Sequence, residues 1–95
     1  QFVGEVLERT TNGMAKIAVK NKFLLGNSME LMTPQGNVSF ALSHLENKKG
    51  EQIDVAPGDG HIVQIPVPDN IDLDYAILLR NLNEAETTRQ PHVVA

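Results

Sequence analysis

Ninety-five residues make one domain, large enough to bury roughly 60–65% of its unfolded surface around one modest core. The 41% apolar and 21% charged shares are those of an ordinary globular chain. The absence of cysteine removes disulfides, thiolate-bound zinc, iron–sulfur clusters and thiol catalysis from these residues. The net charge of −4 divides into +2 over residues 1–50 and −6 over residues 51–95, which excludes a general nucleic-acid binder and confines any basic patch to the first half.

No run approaches the ~18 apolar residues of a membrane span, and no basic, apolar, small-residue leader opens the chain. The expectation is a cytoplasmic domain without membrane contact. Aromatics are Phe2, Phe23, Phe40 and Tyr75, so Val, Ile, Leu and Met must build the core. Gln1 leads straight into strand-like sequence, as expected of a domain belonging to a longer protein.

"FVGEVLER" (2–9) has strand composition, and Asn12-Gly13 is the strongest short hairpin signal. "MAKIAVK" (14–20) alternates, with Ala15, Ile17 and Val19 on one face and Lys16, Ala18 and Lys20 on the other. "SMELM" (28–32) predicts a strand, and "TPQG" (33–36) turns it. "NVSFALSHL" (37–45) alternates again and is expected to bury Val38, Phe40 and Leu42. "ENKKG" (46–50) reads as a loop, "QIDVA" (52–56) as a short strand and "HIVQIPV" (61–67) as another, ended by Pro66 and Pro68. "YAILLR" (75–80) is the last strand. These seven segments predict an all-β fold with the domain at 1–82, followed by a loose polar tail at 83–95.

The glycine-rich "PGDG" (57–60) raises the question of a phosphate cradle. A P-loop needs Gly-x-x-x-x-Gly-Lys-Ser/Thr, and a dinucleotide loop must open a helix. Here a strand follows, so Gly58 and Gly60 read as the positive-φ positions of a tight turn, with Asp59 bonding locally. "NIDLD" (70–74) imitates the start of a calcium loop, but Tyr75 and Asn81 stand where Gly and Glu are required, so it reads as a solvated lead-in. His44, His61 and His92 lack partners at metal spacing, and no metal site is expected. Nothing resembles a catalytic triad, so the chain is not expected to be an enzyme by itself.

One surface has directional character. If the second strand continues, Lys16, Lys20 and Lys22 share a face, and with Arg9 they form a candidate phosphate-contacting stripe. The structural alternative is the solvent face of a hairpin whose lysines guard an edge.

Three segments carry a family likeness: "VKNKFLLGNSMELMTPQG" (19–36), "ENKKGEQIDVAPGDG" (46–60) and "ETTRQPH" (86–92). In this order they resemble the C-terminal domain of collagenase-like peptidase family U-32, most of all its YegQ-type bacterial members, over nearly the whole chain. "FLLGNSMELM" followed by "VAPGDGHIVQI" is also similar to the second-domain barrel of translation elongation factors, where a Gly-Asp turn precedes each of two core strands. Here the first turn reads Gly26-Asn27. The likeness implies a small closed or nearly closed antiparallel barrel of six to seven strands.

The family likeness further implies an N-terminal catalytic part carrying a cysteine cluster, and with it the prospect of an iron–sulfur cluster outside these residues. The family's older name implies a peptidase or collagenase activity, whereas YegQ-type members act in hydroxylation of the tRNA wobble uridine. Two roles follow for this domain. As an RNA-positioning module it would use the lysine stripe with Lys48, Lys49 and Arg89. As a docking module it would meet its own catalytic part or a protein partner through Met29, Met32 or "YAILLR". An independent hydrolase is a third reading that would need activity from the fragment alone. The isolated domain is expected to be monomeric and to hold no cofactor.

Overall fold

The computed structural model describes residues 1–81, which form nine strands and no helix. Strands β1 (Phe2–Arg9) and β2 (Met14–Val19) make the first hairpin. Alternation buries Ala15, Ile17 and Val19 and turns Lys16 and Ala18 outward, as their spacing requires. The connection is a three-residue loop rather than a two-residue Asn-Gly turn. Thr10 N–H donates to Met14 O at 2.7 Å, Gly13 N–H donates to Thr10 O at 3.3 Å, and Gly13 takes φ +81°. That is a tight turn closed by a left-handed glycine.

The remaining strands are β3 (Phe23–Leu24), β4 (Ser28–Thr33), β5 (Gly36–Ala41), β6 (Glu46–Asn47), β7 (Val55–Ala56), β8 (Ile62–Pro66) and β9 (Ile77–Arg80). Seven of them form one antiparallel sheet in the order β5-β4-β9-β1-β2-β8-β6, and β3 pairs with β7 in a separate ribbon. The all-β expectation holds, but the closed barrel does not, because the outer strands β5 and β6 do not pair with each other. The side chain of Asn47 gives a local reason. Its Oδ1 accepts from Lys49 N–H at 2.9 Å and Glu51 N–H at 3.0 Å, so the chain turns away after two residues of β6.

One inward face of this sheet builds one core. Val3, Ile17, Met29, Leu31, Val63, Ile65 and Leu78 are fully buried there, joined by Phe23 and Ala56 of the ribbon and by Leu42 and Leu45. A single sheet gathers its inner residues into one cluster only by curling, and the ribbon with the 42–45 segment covers the opening.

Both glycine turns are real. Asn27 Oδ1 accepts from Leu24 N–H at 2.7 Å across Gly26 (φ +92°), and His61 N–H donates to Gly58 O at 3.4 Å across Gly60 (φ +92°). Each leads from a ribbon strand into a sheet strand, β3 into β4 and β7 into β8.

Other expectations change in detail. Leu42 is buried, but Val38 and Phe40 are only half-buried because β5 has a partner on one side alone. Gln52 makes a lone bridge to Glu46, and regular pairing in 52–56 begins at Val55. The last strand starts at Ile77 rather than Tyr75, whose φ of +62° interrupts the extended backbone. The 83–95 tail, with Arg89 and His92, lies outside the described residues.

Candidate nucleic-acid interface

Of the four basic residues of the expected stripe, Arg9 and Lys16 line one hollow of about 430 Å³ with Glu8, residues 10–12 and Gln64, whereas Lys20 and Lys22 lie outside it. Lys16 points outward from β2 and its Nζ lies 3.3 Å from Glu8 Oε2. Pairing extends that contact across four strands as the row Glu8–Lys16–Gln64–Glu46. Arg9 does something else. Its Nη2 donates to Pro68 O at 3.1 Å and Ile71 O at 2.8 Å, which ties the 68–71 loop to the first hairpin.

The expected continuation of β2 to Lys22 fails. Val3 O accepts from both Lys20 N–H (2.8 Å) and Asn21 N–H (3.2 Å), so the backbone bends after Val19 and strand parity ends there. Lys20 turns toward Asp59, with Nζ 3.9 Å from Oδ1. Asp59 therefore faces a lysine of the neighbouring segment instead of bonding within its own turn. Lys22 is exposed, with no carboxylate within 4.0 Å among the described residues.

Folding assembles a different cationic group. Strand β6 pairs with β8 through Glu46↔Gln64 and Asn47↔Val63, which brings the 47–50 turn beside the 58–61 turn. Between them lies a cleft of about 280 Å³ lined by Asn47, Lys48, Lys49, Gly60, His61 and Ile62. Lys48, Lys49 and His61 are exposed, and Lys20 flanks the same turn through Asp59. The ammonium groups of Lys48 and Lys49 and the imidazole of His61 line the cleft, with Lys20 beside it paired to Asp59. Such groups can hold phosphate oxygens by charge-assisted hydrogen bonds. The arrangement has no nucleophile held by a base. His44 Nε2 does meet Glu46 Oε2 at 2.7 Å, but on the outer end of the polar row, with no further hydrogen-bonded partner among the described residues.

Sequence reasoning mentioned Lys48 and Lys49 but did not join them to Lys20 and His61. The available signal was the repeated glycine turn, because a turn that launches β8 must adjoin whatever pairs with β8. A second hollow of about 370 Å³, at Thr33, Gly36–Val38 and Asn70–Asp72, carries Asp72 as its charged group and does not suit an anion.

An all-β domain with an open seven-stranded sheet and a cationic cleft is thus the class that fold and site define. The model of the peptidase family U32 C-terminal domain matches residues 1–80, and the chain belongs to that family. It is similar to tRNA hydroxylation protein P of Escherichia coli (strain K12), 55% identical over 92 residues, and to the protein of that name from Haemophilus influenzae, 54% identical over 93. In both cases 97% of this chain aligns, and it spans only 20% of the relative's length. In fold it is similar to the crystal structure of the C-terminal domain of a Geobacillus thermoleovorans U32 peptidase. The TM-score there is 0.75 at 23% identity, over 86% of this chain and 93% of the other.

Proposed function

We propose that this domain is a non-catalytic accessory module that positions tRNA for the larger part of a tRNA-hydroxylating U32 protein in the cytoplasm. The observation that carries the reading is the convergence of Lys48, Lys49 and His61 on the cleft between two turns, with Lys20 beside the 58–61 turn through Asp59. The names of the two relatives supply the substrate class. Lys22 and Lys16 extend the positive surface toward β2, whereas Arg9 serves the fold through its two carbonyl contacts. Hydroxylation itself, and any iron–sulfur cluster it requires, belongs to the parent chain outside these residues. The overall charge of −4 keeps the contact local, so binding by the domain alone is weak.

The test is a salt titration of tRNA binding by the isolated domain. Each phosphate neutralised contributes about 0.7–0.9 to the log–log slope, so three lysines predict a slope of roughly 2–3. Changing Lys20, Lys48 and Lys49 together to Ala removes most of that slope. No binding at low salt, or an unchanged slope in the triple variant, rejects the role. The second reading is a module for intramolecular or protein–protein docking without nucleic-acid contact, which the exposed Phe2, Leu7 and Met32 of the outer surface favour.

A further inference from the structure

The outward side of β4, β9 and β1 is mainly apolar, with Glu5 and Glu30 as its acidic members, where the outward side of an antiparallel sheet is ordinarily polar. Register aligns Met32 with Ile77 and Glu5 in one row, and Glu30 with Leu79 and Phe2 in the next. Phe2 and Met32 are 37% and 38% exposed, although Leu78, between Ile77 and Leu79, is fully buried on the opposite side. Leu7 adds to the patch because a bulge in β1 between Val6 and Glu8 pushes it outward, 51% exposed. Beside it stands Tyr75, 92% exposed on a backbone with φ +62°, a conformation few non-glycine residues adopt. Leu7, Tyr75 and Ile77 line one shallow hollow with Glu5 and Val6.

We infer that this face is the seat of the domain on the larger, preceding part of its own U32 chain. Three observations select that occupant. A C-terminal domain spanning 20% of its relatives' length is joined to a body about four times its size. Residues 1 and 2 lie at the patch itself, because Gln1 N is 2.9 Å from Arg80 O and Phe2 pairs with Leu79. In a chain as long as those relatives, the segment leading into Phe2 reaches the edge of this face. Finally, the charges within it are Glu5 and Glu30, which repel phosphate and suit a protein surface with basic groups around an apolar centre. The cationic cleft at β6 and β8 lies at the other end of the strand order and stays open when this face is covered.

Oxidative footprinting of Met32 and Tyr75 tests the inference, comparing the full-length protein with this isolated 95-residue chain at several concentrations. The crystal structure of the isolated C-terminal domain from Geobacillus shows that such a domain folds without its parent. The expected result is labelling several-fold slower in the full-length protein, independent of concentration, with Lys48 and Lys49 still open to amine labelling in both. A Leu7→Glu/Tyr75→Glu variant of the full-length protein should restore fast Met32 labelling while the isolated variant keeps its unfolding midpoint. Equal labelling in the two wild-type chains overturns the inference. So does protection that appears only at high concentration together with dimers in sedimentation, which would make a second copy the occupant. Protection already present in the isolated chain and lost on truncation after Asn81 overturns it in favour of the chain's own C-terminal segment.

Discussion

The outer surface of this sheet has two halves, and the inner surface has none. Inward residues of β4, β9, β1, β2 and β8 are alike: Leu31, Leu78, Val3, Ile17 and Val63 are all at most 1% exposed. Outward residues divide instead. Across β4, β9 and β1 the apolar residues Met32, Ile77, Leu79, Phe2 and Leu7 outnumber Glu5 and Glu30, whereas across β2, β8 and β6 the polar row Lys16, Gln64 and Glu46 lies beside the smaller apolar pair Ala18 and Ile62. The fold draws its stability from the inner face in both halves, so the outer face is free to differ. Composition that stability does not require is a sign of contact with something else.

The comparison breaks first if inner and outer positions behave alike. Leu78→Ala should cost about 2–5 kcal/mol in urea unfolding, from lost burial plus the cavity left behind. Leu7→Ser, on the same sheet but outward, should stay within about 0.5 kcal/mol. Similar losses at both sites would mean the patch belongs to the core.

Arg9→Ala tests the polar half, where a basic residue holds the fold together. Losing two charged hydrogen bonds to Pro68 O and Ile71 O should cost about 1.5–3 kcal/mol. If the variant instead unfolds like wild type and loses only tRNA affinity, Arg9 belongs to the RNA contact after all.

Gly4→Ala probes the line between the halves, where β1 meets β2. An added Cβ would sit 2.6 Å from Ile17 Cγ2 and 2.9 Å from Ala18 O, and the backbone oxygen cannot step aside. A loss of about 1–3 kcal/mol is expected from thermal or urea unfolding. Lys16→Ala should change least, about 0–1 kcal/mol, since its contact with Glu8 is exposed on both sides and weakens further in salt.

How far the sequence could be read depended on how local each cause was. The alternation of Ala15, Ile17 and Val19 and the positive φ at Gly58 and Gly60 follow from a few neighbouring residues, and both were visible. The continuation of the stripe to Lys22 does not hold, because it extends a local rule past the end of the strand. Lys22 shares parity with Lys16 only while the strand lasts, and the shared acceptor Val3 O ends it at Val19. Met29 and Met32 looked equivalent in sequence, yet one is fully buried and the other is on the outer patch, because they differ by an odd number of residues on β4.

By itself the sequence determined an all-β domain of one core, its turn positions and the absence of thiol chemistry in these residues, because periodicity, glycine placement and composition are properties of short stretches. Its family was legible from the likeness of three segments. The tertiary structure alone decided that the sheet stays open, that Arg9 bonds the carbonyls of Pro68 and Ile71, and that Lys48, Lys49 and His61 share one cleft with Lys20 beside it. It also decided that apolar residues from three strands meet on one outer face. Each of these depends on which strands become neighbours, and that choice is made by residues far apart in the chain burying a common core.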